Sequence, residues 1–440
     1  MYSYKQIGTV SYPIFLSLLA QNIINVTNTA FLGHVGEVEL GASAMGGLFY
    51  ICAFTIAFGF STGSQIVMAR RNGEKNYEQI GPVMTQGVFF LLGLASVLFI
   101  LSRLFTENLM GMVISSEPLL KKTVDFLDIR VFGFFFSFMN VMFRALYVGI
   151  TRTKILTINA IIMAITNVIL DYILIFGKWG MPEMGIKGAA IGSVVSEIVS
   201  ILFFVTYTYY NVNLKKYGLN KIVIFDFGLL KRVLSISIFT MVQYFISMTT
   251  WFMFFVAVER IGQHELAVAN IVRSIYMVLF IPINALSTTT NTFVSNSIGA
   301  GHTDQVIRII KKIAGVSFVF MAALSAIVCL IPRSLVSIYT NDSTLIADSI
   351  PALYVISAAM LVCSIGSITF SGVSGTGNTR SALVLELITL SFYLVYLYFI
   401  AVHLRMPVEI CFTTEFVYFS GLFILSTLYL KKAKWQNKRI

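Results

Sequence analysis

The sequence predicts an all-α membrane protein: twelve transmembrane helices in two parallel, pseudo-symmetric six-helix lobes. Three observations carry that class. Of 440 residues, 57% are hydrophobic and 12% charged, against about 25% charged in soluble domains, and the mean hydropathy is +0.84. Apolar segments recur with polar punctuation along the whole chain, and the chain echoes itself at a fixed shift. At roughly 20 residues per bilayer crossing, twelve helices use about 240 residues, which leaves short loops and tails and no soluble domain. A soluble enzyme, a disordered chain and a secreted disulfide scaffold are excluded.

Spans fall near 10–32, 42–66, 82–104, 126–148, 155–176, 188–210, 233–256, 269–293, 313–332, 352–374, 381–404 and 411–430. The start, Met1–Gln6, runs into a full-length span, so no removable signal peptide is expected. Pro13, in the first span, removes a backbone hydrogen bond and permits a kink. With the N-terminus inside, 20 Lys and Arg fall on inner segments and 8 on outer ones. The inner set includes Lys215, Lys216, Lys221, Lys438 and Arg439. That bias places both termini in the cytoplasm, in a multi-pass protein of the cell inner membrane. The net charge of +11 reads as loop anchoring rather than nucleic-acid binding.

The repeat lies at a shift of 226. Residues 36–80 overlie 262–306 with nine identities, Tyr50/Tyr276 among them. A second echo, at a shift of 228, matches Gly149-Ile-Thr-Arg152 with Gly377-Asn-Thr-Arg380 after the fourth span of each half. An even number of spans per half makes the repeats parallel, with lobes at 1–215 and 216–440. That is a transporter architecture, although duplication also builds larger bundles.

Polar residues at membrane depth are the informative ones, because holding them there is costly. Asn167 and Asp171, four residues apart on the fifth span, share one helix face. Ser193 and Glu197 repeat that spacing on the sixth span, beside the small residues Gly185, Gly188, Ala189, Ala190, Gly192 and Ser196. Gln21, Asn25 and Asn28 form a stripe on the first span, and Gln243, Ser247 and Thr250 one on the seventh. The seventh-span stripe reads as interhelical hydrogen bonding. The first-span stripe serves either that purpose or a substrate cavity, with Gln21 and Asn25 on its wall. Arg273, Arg144, Glu386 and Glu415 lie near span ends, where they reach an interface or pair locally. The cysteines Cys52, Cys329, Cys363 and Cys411 read as free apolar side chains. No Walker loop, HExxH or GxSxG occurs, so no enzyme and no cofactor is expected, and coupling falls to an ion gradient.

These features together resemble the MATE family, the multidrug and toxic compound extrusion antiporters. The carrying pieces are Phe31-Leu-Gly-His-Val-Gly36, Asn167 with Asp171, Gly299-Ala-Gly301 and Gly375-Thr-Gly377-Asn-Thr-Arg380. The resemblance implies an H+- or Na+-coupled antiporter that exports organic cations or amphipathic drugs by alternating access. It also implies a cation site in the N-terminal lobe, built from a first-span Asp, Asn167, Asp171 and a sixth-span hydroxyl, with Ser193 in that last place. Sodium is a candidate ligand at Asp171 and Asn167. The expected first-span Asp is replaced by Asn28, and the C-terminal half offers no replacement carboxylate. Glu197 is the residue expected to supply the second carboxylate, the alternatives being lobe packing or pairing with Arg144 or Arg152. The expected partners are a small amphipathic or cationic substrate and the lipid bilayer, with no nucleic acid, and the chain is expected to be a monomer. The second functional reading is a flippase for a lipid-linked saccharide, whose cavity would need to be strongly basic.

Overall fold

The computed structural model describes residues 2–220 and 225–436. Lys221, Lys438 and Arg439 of the charge count lie outside the described residues. In chain order the helices are α1 (Tyr4–Val35), α2 (Glu37–Gly73), α3 (Ile80–Val113), α4 (Glu117–Arg130), α5 (Gly133–Gly149), α6 (Lys154–Phe176), α7 (Ile186–Asn211) and α8 (Phe227–Glu259). They continue as α9 (Gln263–Gly299), α10 (Val306–Leu330), α11 (Pro332–Val336), α12 (Ser343–Gly375), α13 (Thr379–Leu397), α14 (Val408–Cys411) and α15 (Thr414–Lys432). No strand occurs among the described residues. Eleven helical segments are long and apolar enough to cross a bilayer, and the bent pair α4–α5 makes a twelfth. All four cysteines are free.

The fourth span departs from its expectation. A single helix over 126–148 was predicted, but α4 ends at Arg130 and the chain bends by 54° into α5. The glycine that opens α5 is closely packed. Gly133 lies under the Arg130 and Glu197 side chains, and a Cβ there would overlap Arg130 Nη1 and come 2.6 Å from Glu197 Oε2. Arg130 therefore stands at the bend within the fourth span. Pro13, by contrast, does not interrupt α1. Its carbonyl accepts a hydrogen bond from Thr157 Oγ1 at 3.0 Å.

The chain packs as two compact units, Tyr12–Met241 and Val242–Ile440 together with Met1–Ser11. In the first, α2 packs on α4 and α5, and α6 on α7. The glycines of α7 permit that last approach: a Cβ at Gly188 would lie 2.6 Å from the Leu174 carbonyl carbon. After α7, Gly218 takes a φ of +64°, and the Tyr217 carbonyl accepts from Gly81 N at 2.7 Å. In the second unit, α12 packs on α9, α10 and α15, and α13 on α15. Its start is fixed by Asp342, whose side chain accepts from Thr344 N at 2.8 Å and caps α12. Tyr2 stacks on Phe293 at 3.8 Å between centroids, and Lys312 donates to the Tyr2 carbonyl at 2.9 Å.

Candidate functional site

In the unit Tyr12–Met241, Asn28 from α1 meets Asn167 and Asp171 from α6. Amide orientation follows from the network. With its nitrogen facing acceptors, Asn28 Nδ2 lies 2.5 Å from Asp171 Oδ2, 2.9 Å from Asn167 Oδ1 and 3.1 Å from the Ile24 carbonyl. Asn167 and Asp171 are both 0% exposed. Asp171 makes no salt bridge among the described residues, and neither its Oδ1 nor Asn167 Nδ2 has a hydrogen bond there. An isolated buried carboxylate costs several kcal/mol. The arrangement therefore favours binding a proton or a monovalent cation at Asp171, and it offers amide oxygen as a second ligand. No cluster of three or more His, Cys, Asp or Glu exists among the described residues to hold a multivalent metal.

The residue of α7 that faces Asp171 is Gly192, not Ser193. A Cβ at Gly192 would overlap Asp171 Oδ1, and Ser193 contributes only its carbonyl, to Ser196 Oγ at 2.8 Å. One residue of helical rotation, about 100°, accounts for the difference.

Glu197 is 5% exposed and meets a partner the sequence reading did not weigh. Arg130 Nη2 donates to Glu197 Oε1 at 2.7 Å and Nη1 to Oε2 at 3.1 Å. The guanidinium lies 3.7 Å from the Tyr50 ring centroid. Tyr50 Oη lies 3.3 Å from Glu197 Oε1 and 2.7 Å from Ser137 Oγ. Glu197 thus follows the alternative of pairing with a basic residue, and that residue is Arg130 rather than Arg144 or Arg152.

Beside these groups lies a cavity of about 120 Å³, walled by α1, α2, α5, α6 and α7. Its apolar lining includes Phe54, Phe58, Met163 and Phe204; its polar lining includes Gln21, Asn140, Asn159, Ser200, Arg144 and Glu197. Asn140 Nδ2 donates to the Glu197 carbonyl at 3.2 Å, and Ser200 Oγ lies 2.8 Å from Asn140 Oδ1 and 3.0 Å from Asn159 Oδ1. The Arg144 guanidinium lies 5.1 Å from the Phe58 ring. Gln21 thus lies on the wall, as expected. Asn25 is exposed and is not part of it, because the α1 lining passes from Gln21 to Ile24. Asn140, Asn159 and Ser200 were not singled out in the sequence, although Asn140 lies one turn before Arg144 and Ser200 one turn after Ser196 and Glu197.

The unit with Val242–Ile440 holds two buried carboxylates, both paired locally, one of the two alternatives the sequence left open. Glu386 is 2% and Glu415 9% exposed. Glu386 accepts a short hydrogen bond from Ser247 Oγ and another from Tyr418 Oη at 3.0 Å. Tyr276 Oη donates to Glu415 Oε2 at 3.4 Å. The seventh-span stripe is thus engaged between helices through Ser247.

Comparison with known proteins gives one consistent answer. The MatE family model matches residues 13–173 and 235–399. A probable multidrug resistance protein NorM of Thermotoga maritima is 25% identical over 395 residues, covering 88% of this chain and 83% of its own. A protein of the same name from Synechocystis is 23% identical over 345 residues, covering 76% and 72%. Among solved structures, an outward-facing multidrug resistance MATE family transporter of the MOP superfamily superposes with a TM-score of 0.88 at 18% identity, over 99% of this chain and 97% of that one. The eukaryotic MATE transporter AtDTX14 gives 0.87 at 16% identity, over 98% and 96%. Two matched stretches, one in each half, together span most of the sequence: the chain belongs to the MatE family, the MATE family of multidrug efflux transporters.

Proposed function

We propose that this chain is a cation-coupled antiporter that exports amphipathic small molecules, organic cations included, by alternating access of two lobes, 1–215 and 216–440. The observation that carries the reading is the buried Asn28–Asn167–Asp171 cluster, with one carboxylate oxygen of Asp171 uncommitted. Asp171 takes a proton or sodium as cargo, and the amides of Asn28 and Asn167 orient its carboxylate. Asn28 is a hydrogen-bonding partner that does not titrate, so the cluster carries a single ionisable group. The cavity beside it, part aromatic and part amide, suits amphiphiles whose polar groups need several hydrogen-bond partners. The printed names of the relatives, multidrug resistance proteins, support drug-like cargo.

The test is export from proteoliposomes under an imposed proton gradient and then an imposed sodium gradient. Asp171→Asn should lower coupled export by at least about tenfold, or about 1.4 kcal/mol, while substrate still binds. A wild-type rate in that variant sinks the assignment. The orientation, with both termini cytoplasmic, has its own test. Gly218 is a poor reporter, since its φ is positive and a Cβ would overlap the Glu78 carbonyl. Lys215 is exposed, and Lys215→Cys in a Cys329→Ser background should resist impermeant thiol reagents in intact cells. Ready labelling from outside would reverse the topology.

A further inference from the structure

The oxygens that would bind a metal cation are already gathered around a nitrogen. Asn28 Nδ2 lies 2.5 Å from Asp171 Oδ2, 2.9 Å from Asn167 Oδ1 and 3.1 Å from the Ile24 carbonyl oxygen. A carboxylate, an amide carbonyl and a backbone carbonyl thus converge on one atom, and that is the donor set a hard cation selects. The atom at their centre is an amide nitrogen with two hydrogens and no charge. The shortest of the three contacts goes to the carboxylate, as in a charge-assisted hydrogen bond.

The orientation of that amide is forced. Turned the other way, it would set its own oxygen 2.5 Å from Asp171 Oδ2 and against two further acceptors. Oxygens that share one ion at about 2.4 Å stand roughly 3 Å or more apart. The contact therefore fits a hydrogen bond and not two ligands of one metal ion.

On Asp171 only Oδ1 is left without a hydrogen bond. It rests against Gly192 of α7, where a Cβ would overlap it, so that helix brings no side-chain oxygen to it. Asn167 and Asp171 are 0% exposed, so bulk water does not complete a ligand shell there. Sodium, close to calcium in size, needs about six oxygens at about 2.3–2.6 Å. The donors that remain do not fit it, whereas a proton needs one lone pair.

We propose that Asn28 sets the ion selectivity of the site: its Nδ2 holds the place of a metal cation, sodium is excluded, and the cargo of Asp171 is the proton. The proposal rests on the coupling reading of Asp171 and narrows it to one ion. Asn28 carries nothing itself. A carboxylate at this position would add a charge and two oxygens; the amide adds two N–H donors instead.

The experiment takes the whole chain, wild type and Asn28→Asp, through two measurements. One is thermal unfolding in detergent, in sodium chloride or potassium chloride at equal concentration. The other is export from proteoliposomes under an imposed proton or sodium gradient. The wild type should unfold at the same temperature in both salts and export at least about tenfold faster under the proton gradient than under the sodium gradient. Asn28→Asp, which puts oxygens where the N–H donors were, should unfold about 2 °C or more higher in sodium than in potassium and gain sodium-driven export. Sodium-specific stabilisation or sodium-driven export in the wild type overturns the proposal. So does a folded Asn28→Asp that ignores sodium, since the exclusion would then not lie with Asn28. If Asn28→Asp does not fold, the wild-type measurements decide. Should Asp171→Asn export normally, the coupling reading fails instead, and the unfolding measurements, which need no transport, still test the exclusion.

Discussion

Tyr50 and Tyr276, related by the internal repeat, each meet a glutamate on the last membrane-spanning helix of their half. Tyr50 Oη lies 3.3 Å from Glu197 on α7, and Tyr276 Oη 3.4 Å from Glu415 on α15. The surroundings then diverge. Glu197 is neutralised by Arg130. Glu415 has no Lys or Arg at salt-bridge distance among the described residues. At the shift of 226, Arg130 falls on Ile356, an apolar residue that lines a cavity of about 10 Å³ with Tyr276 and Glu415. The nearby arginine is Arg273, one turn before Tyr276, and its guanidinium lies over Phe255 at 5.1 Å and Trp251 at 5.7 Å. The two related tyrosines each meet a carboxylate, although Glu197 and Glu415 are not themselves related by the shift, and the compensating charge stands in one half only. Hydrogen-bond geometry and charge balance have therefore changed independently in the two units.

The largest expected effect tests that asymmetry directly. Arg130→Met leaves Glu197 buried without its counter-charge and should cost about 3–5 kcal/mol. Arg273→Met removes a cation from two aromatic rings and should cost about 1–2 kcal/mol. Thermal unfolding in detergent reads both, and equal losses would break the comparison. A middle effect comes from Gly133→Ala, which crowds Arg130 and Glu197 and should cost about 1–3 kcal/mol. Its counterpart at the same shift, Ala359, is fully buried and already carries the methyl group, so the opposite half tolerates what this one excludes. A neutral Gly133→Ala would mean that the bend, not the ion pair, selects glycine. The smallest effect distinguishes the two phenols. Tyr276→Phe removes the donor that Glu415 uses and should cost about 1–2 kcal/mol. Tyr50→Phe leaves Glu197 its two bonds from Arg130 and should cost under about 1 kcal/mol. The reverse order would show that the arginine does not relieve the tyrosine.

What was legible in the sequence follows the range over which the signals act. The spans were legible because hydrophobic length is a local property. Asn167 and Asp171 were legible because four residues on a helix share a face, and Asn28 because of the motif around it. The Arg130–Glu197 pair spans 67 residues, and no spacing rule joins two residues on separate helices. The bend between α4 and α5 was hidden because the sequence there is one continuous apolar run, in which Gly133 is the only local mark. Ser193 and Gly192 illustrate a finer limit: the right helix and the right turn were named, but rotation about the helix is set by packing against α6. Glu386 and Glu415, near span starts, read as residues that reach an interface or pair locally, and the sequence could not choose between the two. Their burial depends on Ser247, Tyr418 and Tyr276, which come from other helices.

The first residues of the chain have a genetic consequence. Met1–Ser11 pack with Val242–Ile440, whereas the rest of α1 packs with the other unit. The stack of Tyr2 on Phe293 and the bond from Lys312 to the Tyr2 carbonyl are its visible ties. A gene divided at the middle loop would therefore not yield two self-sufficient halves: the distal fragment would lack a piece of its own packing, and the proximal one would carry that piece as an orphan. Complementation by co-expressed fragments must remake those ties in trans, and moving the first eleven codons to the distal fragment should improve it. Through one short overlap, two similar halves are tied into a single heritable unit.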